Sequence, residues 1–171
     1  MNGVPYIDIY TITRDRSKQC IERFLEAYTN RSEIEDQKDG ELMILPPDKV
    51  GKVDLELEDY TWVKAHTVSN SIAVGLSGDD VCFTMYLASN FPGVDQAILS
   101  FTADNFLILG LAVYEYTDEN QTVDNYGLAD KLAKQLETDY SGIERYYGLE
   151  SAPSDTYDEF LVEKSRRQAI Q

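Results

Sequence analysis

The apolar positions are densest between Gln96 and Tyr116, in the sequence QAILSFTADNFLILGLAVYEY. Asp104 and Asn105 separate two β-prone runs there, and both residue types tolerate the left-handed conformations that a two-residue hairpin turn needs. The pattern therefore predicts a hairpin. Its expected facing pairs on one face are Ala103 with Phe106, Phe101 with Ile108, and Leu99 with Gly110.

The second strand of this hairpin is apolar on both faces. One face carries Phe106, Ile108 and Gly110. The other carries four aliphatic side chains: Leu107, Leu109, Leu111 and Val113. A strand of this kind is normally covered on both sides, so we expect it at the centre of a sheet. Gly110 would let a helix or a neighbouring backbone approach closely.

Other β-prone or alternating runs predict the remaining strands of a meander. The sequence VDLELE at Val53–Glu58 alternates strictly, which predicts a half-buried strand with an acidic outer face. A run near the C-terminus, Ile143–Gly148, is interpreted as an edge strand or an ordered connection. The further predicted strands are Tyr6–Thr13, Glu41–Leu45, Tyr60–Val68, Ser71–Leu76 and Val81–Ala88.

Helical spacing of apolar residues predicts two main helices. The first spans Ser17–Asn30 with Asp15 as its cap, and the second carries a stripe from Leu128 to Tyr140 and ends at Gly142. From Asp155 onward, acids precede bases, which predicts a short helix that docks lightly and has a frayed tail.

These elements predict an α+β fold. We expect a largely antiparallel sheet of about six to seven strands, with an N-terminal and a C-terminal helix packed on it and a short terminal helix. The chain of 171 residues should form one domain over 1–150, with 151–171 docked on it.

Charge is the strongest compositional signal. The chain has 31 acidic and 15 basic residues, a net charge of −16. Ser32–Asp59 holds ten acids and three bases, and Glu115–Glu163 holds thirteen acids and three bases. This field repels phosphate backbones, so we expect no nucleic-acid partner, and a charged partner should be basic.

Nothing in the sequence indicates a membrane or secretion signal. No apolar run reaches the roughly 18 residues of a membrane span, and MNGVPYIDIY lacks the regions of a signal peptide. We therefore expect a cytoplasmic protein without a membrane partner. Cys20 and Cys82 are too few for a disulfide framework or a zinc site, so both should be buried structural thiols.

Catalytic motifs are missing as well. His66 is the only histidine, and no Ser or Cys lies in a nucleophile motif, so His66 is interpreted as an ordinary strand residue. The sequence GLSGDD at 75–80 lacks the Lys-Ser/Thr ending of a phosphate loop. These observations favour a non-enzymatic protein without a cofactor.

Two groups of carboxylates have spacings that bear on metal binding. Asp54, Glu56 and Glu58 would stand roughly 6.7 Å apart along one strand face, too far to chelate one ion alone. The residues Asp118, Asn120, Thr122 and Asp124 resemble the start of a calcium loop. Val123 and Ala129 replace the glycine and glutamate that such a loop requires. We therefore predict no metal site.

Aromatic side chains are abundant for an acidic chain, with twelve Tyr and one Trp. Tyr and Trp anchor many interfaces, although the same rings could pack into the sheet. We predict partner binding where aromatics and acids meet. The candidate partner-binding residues are Asp54, Glu56, Glu58, Asp59, Tyr60, Trp62, Tyr146 and Tyr147.

The leading hypothesis is an acidic binding protein that recognises a basic protein partner. In composition alone the chain is similar to bacterial immunity proteins against nuclease toxins, which implies an inhibitor-type role. One alternative is a small-molecule-binding or regulatory α+β domain, dimeric through a sheet edge or the C-terminal helix. Another is a hydrolase that uses carboxylates and a divalent ion, which requires at least three acids converging in a cleft.

Overall fold

The structure, a computed structural model, describes the backbone of residues 3–170 and the side chains of residues 3–168. Within that part the chain forms seven strands and four α-helices. The strands are β1 (Tyr6–Thr13), β2 (Glu41–Ile44), β3 (Thr61–Lys64), β4 (Phe83–Ala88), β5 (Gln96–Phe101), β6 (Leu107–Tyr114) and β7 (Gly142–Leu149). The helices are α1 (Lys18–Tyr28), α2 (Val68–Gly75), α3 (Tyr126–Asp139) and α4 (Tyr157–Ile170).

Five strands form one antiparallel sheet in the order β4-β5-β6-β1-β7, and β2 pairs with β3 in a separate two-stranded sheet. The predicted α+β fold and antiparallel pairing are confirmed, although the strands divide between two sheets. β6 lies at the centre of the larger sheet, as its two apolar faces predicted. β7 lies at one edge, which is the first of the two alternatives predicted for Ile143–Gly148, and β4 lies at the other.

The hairpin of β5 and β6 has a different register from the predicted one. Phe101 pairs with Leu107 and Leu99 with Leu109, so Leu99 and Phe101 share a face with Leu107 rather than with Ile108. The connection is a three-residue loop in which Asn105 takes a left-handed φ of 69°. One extra loop residue shifts the pairing by one position and exchanges the expected faces.

The main core lies between one face of the five-stranded sheet and α1, α2 and α3. It includes Phe24 and Leu25 of α1, Ile72 of α2 and Leu136 of α3, all at most 2% exposed. α1 begins after Ser17, whose side chain accepts a hydrogen bond from the Cys20 amide. The predicted cap, Asp15, instead accepts from the Ser17 amide.

The opposite face of the sheet has a second, smaller core under α4. Phe160 of α4 is fully buried and its ring lies 4.8 Å from that of Tyr146. Tyr157 stacks on Phe106 at 5.0 Å. The expectation of light docking was wrong, because Phe160 is fully buried within this second core. α4 extends through Ile170, and the end of the predicted frayed tail, Gln171, lies outside the described residues.

Two strand predictions were wrong. At Val53–Glu58 the chain is irregular, since Asp54 has a φ of 58° and Leu57–Asp59 form a 3-10 turn. In the described part of the chain no strand pairs with VDLELE to cover its apolar face, and Val53 stays 83% exposed. Ser71–Leu76 belongs to α2, which Thr67 caps by accepting from the Asn70 amide.

Gly142 begins β7 instead of ending α3. α3 ends at Asp139, and Ser141 takes the left-handed φ of 54° that reverses the chain. A Cβ on Gly142 would lie 2.0 Å from the Thr11 hydroxyl, so the glycine is required for strand packing. Gly110 also permits a close approach, here of the Tyr10 ring and of the Ile9 carbonyl, so the predicted approach of a neighbouring backbone is confirmed and that of a helix is not.

Candidate functional site: a groove beside the acidic arm

Residues 41–64 form a projecting unit that we call the arm, made of β2, the loop 45–60 and β3. The arm carries six acids and three bases. Its loop is held by Asp59, which accepts a 2.8 Å hydrogen bond from the Glu56 amide and pairs with Lys49 at 3.3 Å. These contacts hold the pKa of Asp59 below its usual range. Asp59 and Glu56 therefore shape the loop.

Asp54 and Glu58 are two of the predicted binding acids that remain open to a partner. Both side chains are exposed, and among the described residues neither forms an ion pair or a side-chain hydrogen bond. Of the four predicted acids, Asp59 is half-buried and supports the loop through its side chain, whereas Asp54, Glu56 and Glu58 are exposed.

A groove runs between the arm and β4, the edge strand of the larger sheet. Its volume is about 540 Å³. Leu42 and Leu45 of the arm and Phe83 and Met85 of β4 are buried and form its apolar base. Two predicted residues, Tyr60 and Trp62, lie on the arm side. We call this feature the arm groove.

The rim of the arm groove exposes large apolar side chains. Trp62 is 50% exposed, Met43 opposite it in the β2–β3 pair is 41% exposed, and Tyr86 of β4 is 52% exposed. Val53 and Leu57 add two more on the arm loop. Five of the eight large exposed apolar residues in the described part of the chain thus lie on the arm or on β4. Large exposed apolar side chains that cluster in this way are typical of interaction surfaces, whereas single ones are common on any protein.

The groove is also anionic. Among the described residues that line it, Glu41 and Asp155 are acidic and none is Lys or Arg. Burial raises the pKa of the Asp155 carboxyl, whose oxygen accepts a weak hydrogen bond from the Cys82 thiol at 3.7 Å. The predicted burial of Cys82 is confirmed, and burial raises the pKa of its thiol to about 12.

The outer edge of β4 borders the groove without a neighbouring strand. The arm meets this edge at one point, where the Leu45 amide donates a 2.9 Å hydrogen bond to the Cys82 carbonyl. Beyond that bridge, the described residues contain no backbone hydrogen bond between β2 and β4. The edge from Phe83 to Ala88 therefore keeps backbone donors and acceptors for an external chain.

The two remaining predicted residues lie elsewhere. Tyr146 and Tyr147 are in β7, at the opposite edge of the sheet from β4, four strand spacings or roughly 19 Å away. Tyr146 is 5% exposed and packs under α4, so it is not available to a partner. Tyr147 is half-buried and packs against the main core. The structure brings Tyr60 and Trp62 together with the arm acids, and separates the Tyr146–Tyr147 pair from them.

Sequence reasoning missed Tyr86, Met43 and Asp155 as parts of this site. Tyr86 stands in the run VCFTMYLA, where alternation with Met85 and Leu87 indicates an outward position. This alternation predicts that Tyr86 is exposed, but it does not predict which part of the chain lies beside it. The arm is held beside β4 by the bridge between Leu45 and Cys82, which joins segments far apart in sequence.

A second concave site lies near Tyr6. Its hydroxyl donates a 2.6 Å hydrogen bond to Asp95, and its ring stacks on Tyr114 at 4.8 Å. The hydrogen bond to Asp95 raises the pKa of Tyr6. The adjoining pocket of about 290 Å³ lies near the lower limit of common ligand sites. This is the place where the small-molecule alternative would apply.

The candidate catalytic and metal-binding residues do not come together in one site. His66 is exposed between β3 and α2 rather than in a strand. Asp118 accepts hydrogen bonds from the Thr122 and Val123 amides, so its own loop occupies the carboxylate. Within residues 3–168, no three His, Cys, Asp or Glu side chains converge as a group able to hold a metal ion.

Comparison of the chain with protein-family models, curated proteins and solved structures finds no match. In residues 3–170 no helix combines the length and apolar character required to cross a bilayer.

Proposed function

We propose that this chain is a non-enzymatic acidic binding protein that recognises a basic protein partner through the arm groove. One observation carries the proposal. Three large exposed side chains, those of Trp62, Tyr86 and Met43, surround a groove whose charged lining residues, Glu41 and Asp155, are both acidic.

The acidic charge and the exposed apolar side chains have separate roles in binding. A net charge of −16 attracts a basic partner and raises the encounter rate, and it repels nucleic acid. Aromatic anchors such as Trp62 and Tyr86 bury area on contact and slow dissociation. Lys or Arg side chains on the partner can also lie over exposed rings as cation–π pairs.

An inhibitor-type role follows from the same chemistry. A partner with a positively charged active site, as in an enzyme that binds phosphate groups, would be complementary to the groove. Occupying that site would block its substrate, which is how an immunity-type protein would act. The partner class proposed here is therefore a basic protein with a cationic cleft.

Paired capture tests the proposal. The wild-type chain, Trp62→Ala and Val123→Ala are immobilised separately, a lysate of the expressing cells is applied at low salt, and bound protein is eluted with increasing salt. Val123 is 55% exposed in the loop before α3 and is the control for loss of an exposed apolar side chain. We expect one basic protein to be retained by wild type and Val123→Ala, and retained weakly by Trp62→Ala.

Equal retention by all three chains would place the contact outside the arm groove and contradict the proposal. An acidic or neutral protein eluting from wild type would contradict its electrostatic basis. Folding of Trp62→Ala is checked by circular dichroism, and the exposure of Trp62 means that truncation should leave the cores intact.

A further inference from the structure

We infer that the arm groove takes an extended basic segment of its partner, which adds as a sixth strand along the outer edge of β4. The inference rests on the proposed function and specifies the conformation and side-chain pattern of the partner at the same site. It identifies the partner by backbone geometry as well as by charge.

The backbone of β4 supports strand addition. Its inner side pairs with β5 from Phe83 to Ala88, and that pairing leaves alternate N–H and C=O groups on the outer side. The bridge from Leu45 to Cys82 closes one end of the groove. Six residues of β4 give roughly 20 Å of edge, enough for a short extended segment. Peptides added at such edges gain affinity from main-chain hydrogen bonds.

Side chains of the groove specify an alternating partner. Successive residues of an added strand point to opposite faces. On one face they would meet the buried apolar residues Leu42 and Met85, which favours aliphatic side chains. On the other they would meet the exposed rings of Trp62 and Tyr86 and the carboxylate of Asp155, which favours Lys or Arg. The predicted segment therefore alternates aliphatic and basic residues.

A second copy of this chain fits the same edge less well. Pairing two β4 edges would bring together two molecules that each carry a net charge of −16. Both copies would also place Glu41 and Asp155 beside the shared edge, where no Lys or Arg lines the described groove. Like-charge juxtaposition costs affinity, whereas a basic segment neutralises these carboxylates.

Synthetic peptides test the inference on the full chain. The probe is a capped hexapeptide of alternating valine and lysine. Its control has the same composition with three valines followed by three lysines. Two further forms of the probe carry N-methyl groups on odd or even residues, since N-methylation removes backbone donors on one side of a strand. Calorimetry measures affinity, and hydrogen exchange reports the β4 amides.

We expect the alternating peptide to bind roughly tenfold more tightly than the block peptide, with slower exchange of outward β4 amides. One methylated form should lose roughly tenfold or more in affinity, because its donors face β4. Trp62→Ala should weaken binding, and Val123→Ala should not.

Equal binding of the alternating and block peptides, with loss in Trp62→Ala and unchanged β4 amides, would overturn strand addition and leave the proposed function standing. No binding of either peptide to the folded chain would overturn both. A concentration-dependent dimer with β4 amides already protected would assign the edge to a second copy and overturn the inference.

Discussion

At the residue scale, Arg16 donates more hydrogen bonds to backbone carbonyls than any other described Lys or Arg side chain. Its guanidinium donates hydrogen bonds to the carbonyls of Thr102, Phe106, Gly75, Gly78 and Val81 at 2.7 to 3.1 Å. It also lies 5.1 Å from the centre of the Phe101 ring. One side chain thus connects the end of α2 to the β5–β6 hairpin. Its partners are at least 59 positions away in sequence, so no local pattern predicts the contact.

Replacing Arg16 by Lys should lower the free energy of unfolding by about 2–4 kcal/mol. Lysine keeps the charge but offers three donors instead of a planar fork, so several carbonyls lose their partner. Urea denaturation measures the change. Arg14→Lys, two residues away at an exposed position, is the control and should stay within about 0.5 kcal/mol of wild type. A loss for Arg16→Lys no larger than that of the control would contradict this role.

Asp8 is a second residue whose environment has a measurable consequence. It lies on β1, where its carboxylate accepts a 2.7 Å hydrogen bond from the Ser151 amide. Burial, helped by nearby Glu150, raises the pKa of Asp8 to about 7, although the Ser151 amide and Arg167 act in the opposite direction. The folded protein therefore holds a proton that the unfolded chain releases near pH 4.

The sign of the pH dependence follows from that difference. Between about pH 4 and 7 the folded state binds more protons at Asp8 than the unfolded state, so this residue lowers stability as pH rises. Asp8→Asn keeps an acceptor for Ser151 and removes the titration. We expect the variant to be more stable by roughly 1–3 kcal/mol at pH 8, with the difference vanishing toward pH 4. Thermal denaturation across this range measures it, and a pH-independent difference would contradict the assignment.

At the scale of elements, the main anchor of α4 is one fully buried aromatic side chain. Phe160 is fully buried between the sheet and the helix, whereas Val162 on the same helix is 53% exposed. Phe160→Ala should cost about 3–5 kcal/mol and expose residues 151–156 to proteolysis. Val162→Ala is the matched control and should change stability by less than about 0.5 kcal/mol. Similar stability and proteolysis of the two variants would show that α4 is held elsewhere.

Elements with one consistent periodic signal were predicted well from sequence. β1 was predicted with its observed bounds, Tyr6–Thr13, because its alternating residues meet a partner strand on each side. Val53–Glu58 has an equally regular alternation and forms no strand, because no neighbouring strand supplies hydrogen bonds. Periodicity therefore predicts which side of a strand is apolar, but a strand also needs a partner.

The strand predicted at Ser71–Leu76, where the structure has α2, was wrong for a different reason. Ile72 and Val74 favour strands locally, yet Val68, Ile72 and Gly75 share one helical face that is buried against the sheet. A Cβ on Gly75 would lie 2.4 Å from the Phe101 ring, so glycine allows the helix to approach that ring. Packing of α2 against the sheet overrides the local β propensity of these residues, and no sequence pattern indicates that packing.

At the scale of the whole molecule, the acidic field and the arm groove act together. Glu58 stands two positions before Tyr60 and has no ion pair in the described structure. Glu58→Lys should lower the affinity for a basic partner by roughly tenfold at low salt, and the effect should become smaller as salt screens the charges. Binding isotherms at two salt concentrations measure it.

Glu119→Lys is the control for net charge. It makes the same change of two charge units at an exposed position in the loop before α3. If the arm is the contact, Glu119→Lys should weaken binding much less than Glu58→Lys. Equal effects would mean that the overall charge, rather than the arm, attracts the partner.

The candidate site could be predicted only in part, for a reason of topology. Tyr60 and Trp62 follow the arm acids directly in sequence, so their grouping with those acids could be predicted. Tyr86 and Asp155 come from β4 and from the segment before α4, and only the folded chain brings them to the same groove. Tyr146 was misplaced because an aromatic pair in an edge strand does not reveal which ring faces a helix.

The most direct test of the account is the emission of Trp62, the only tryptophan in the chain, during titration with the alternating valine–lysine peptide. Its half-exposed ring lies at the rim of the groove. We predict a blue shift and protection from acrylamide quenching on saturation, both reduced at high salt. Unchanged emission while calorimetry records binding would show that the partner binds elsewhere and would contradict the central claim.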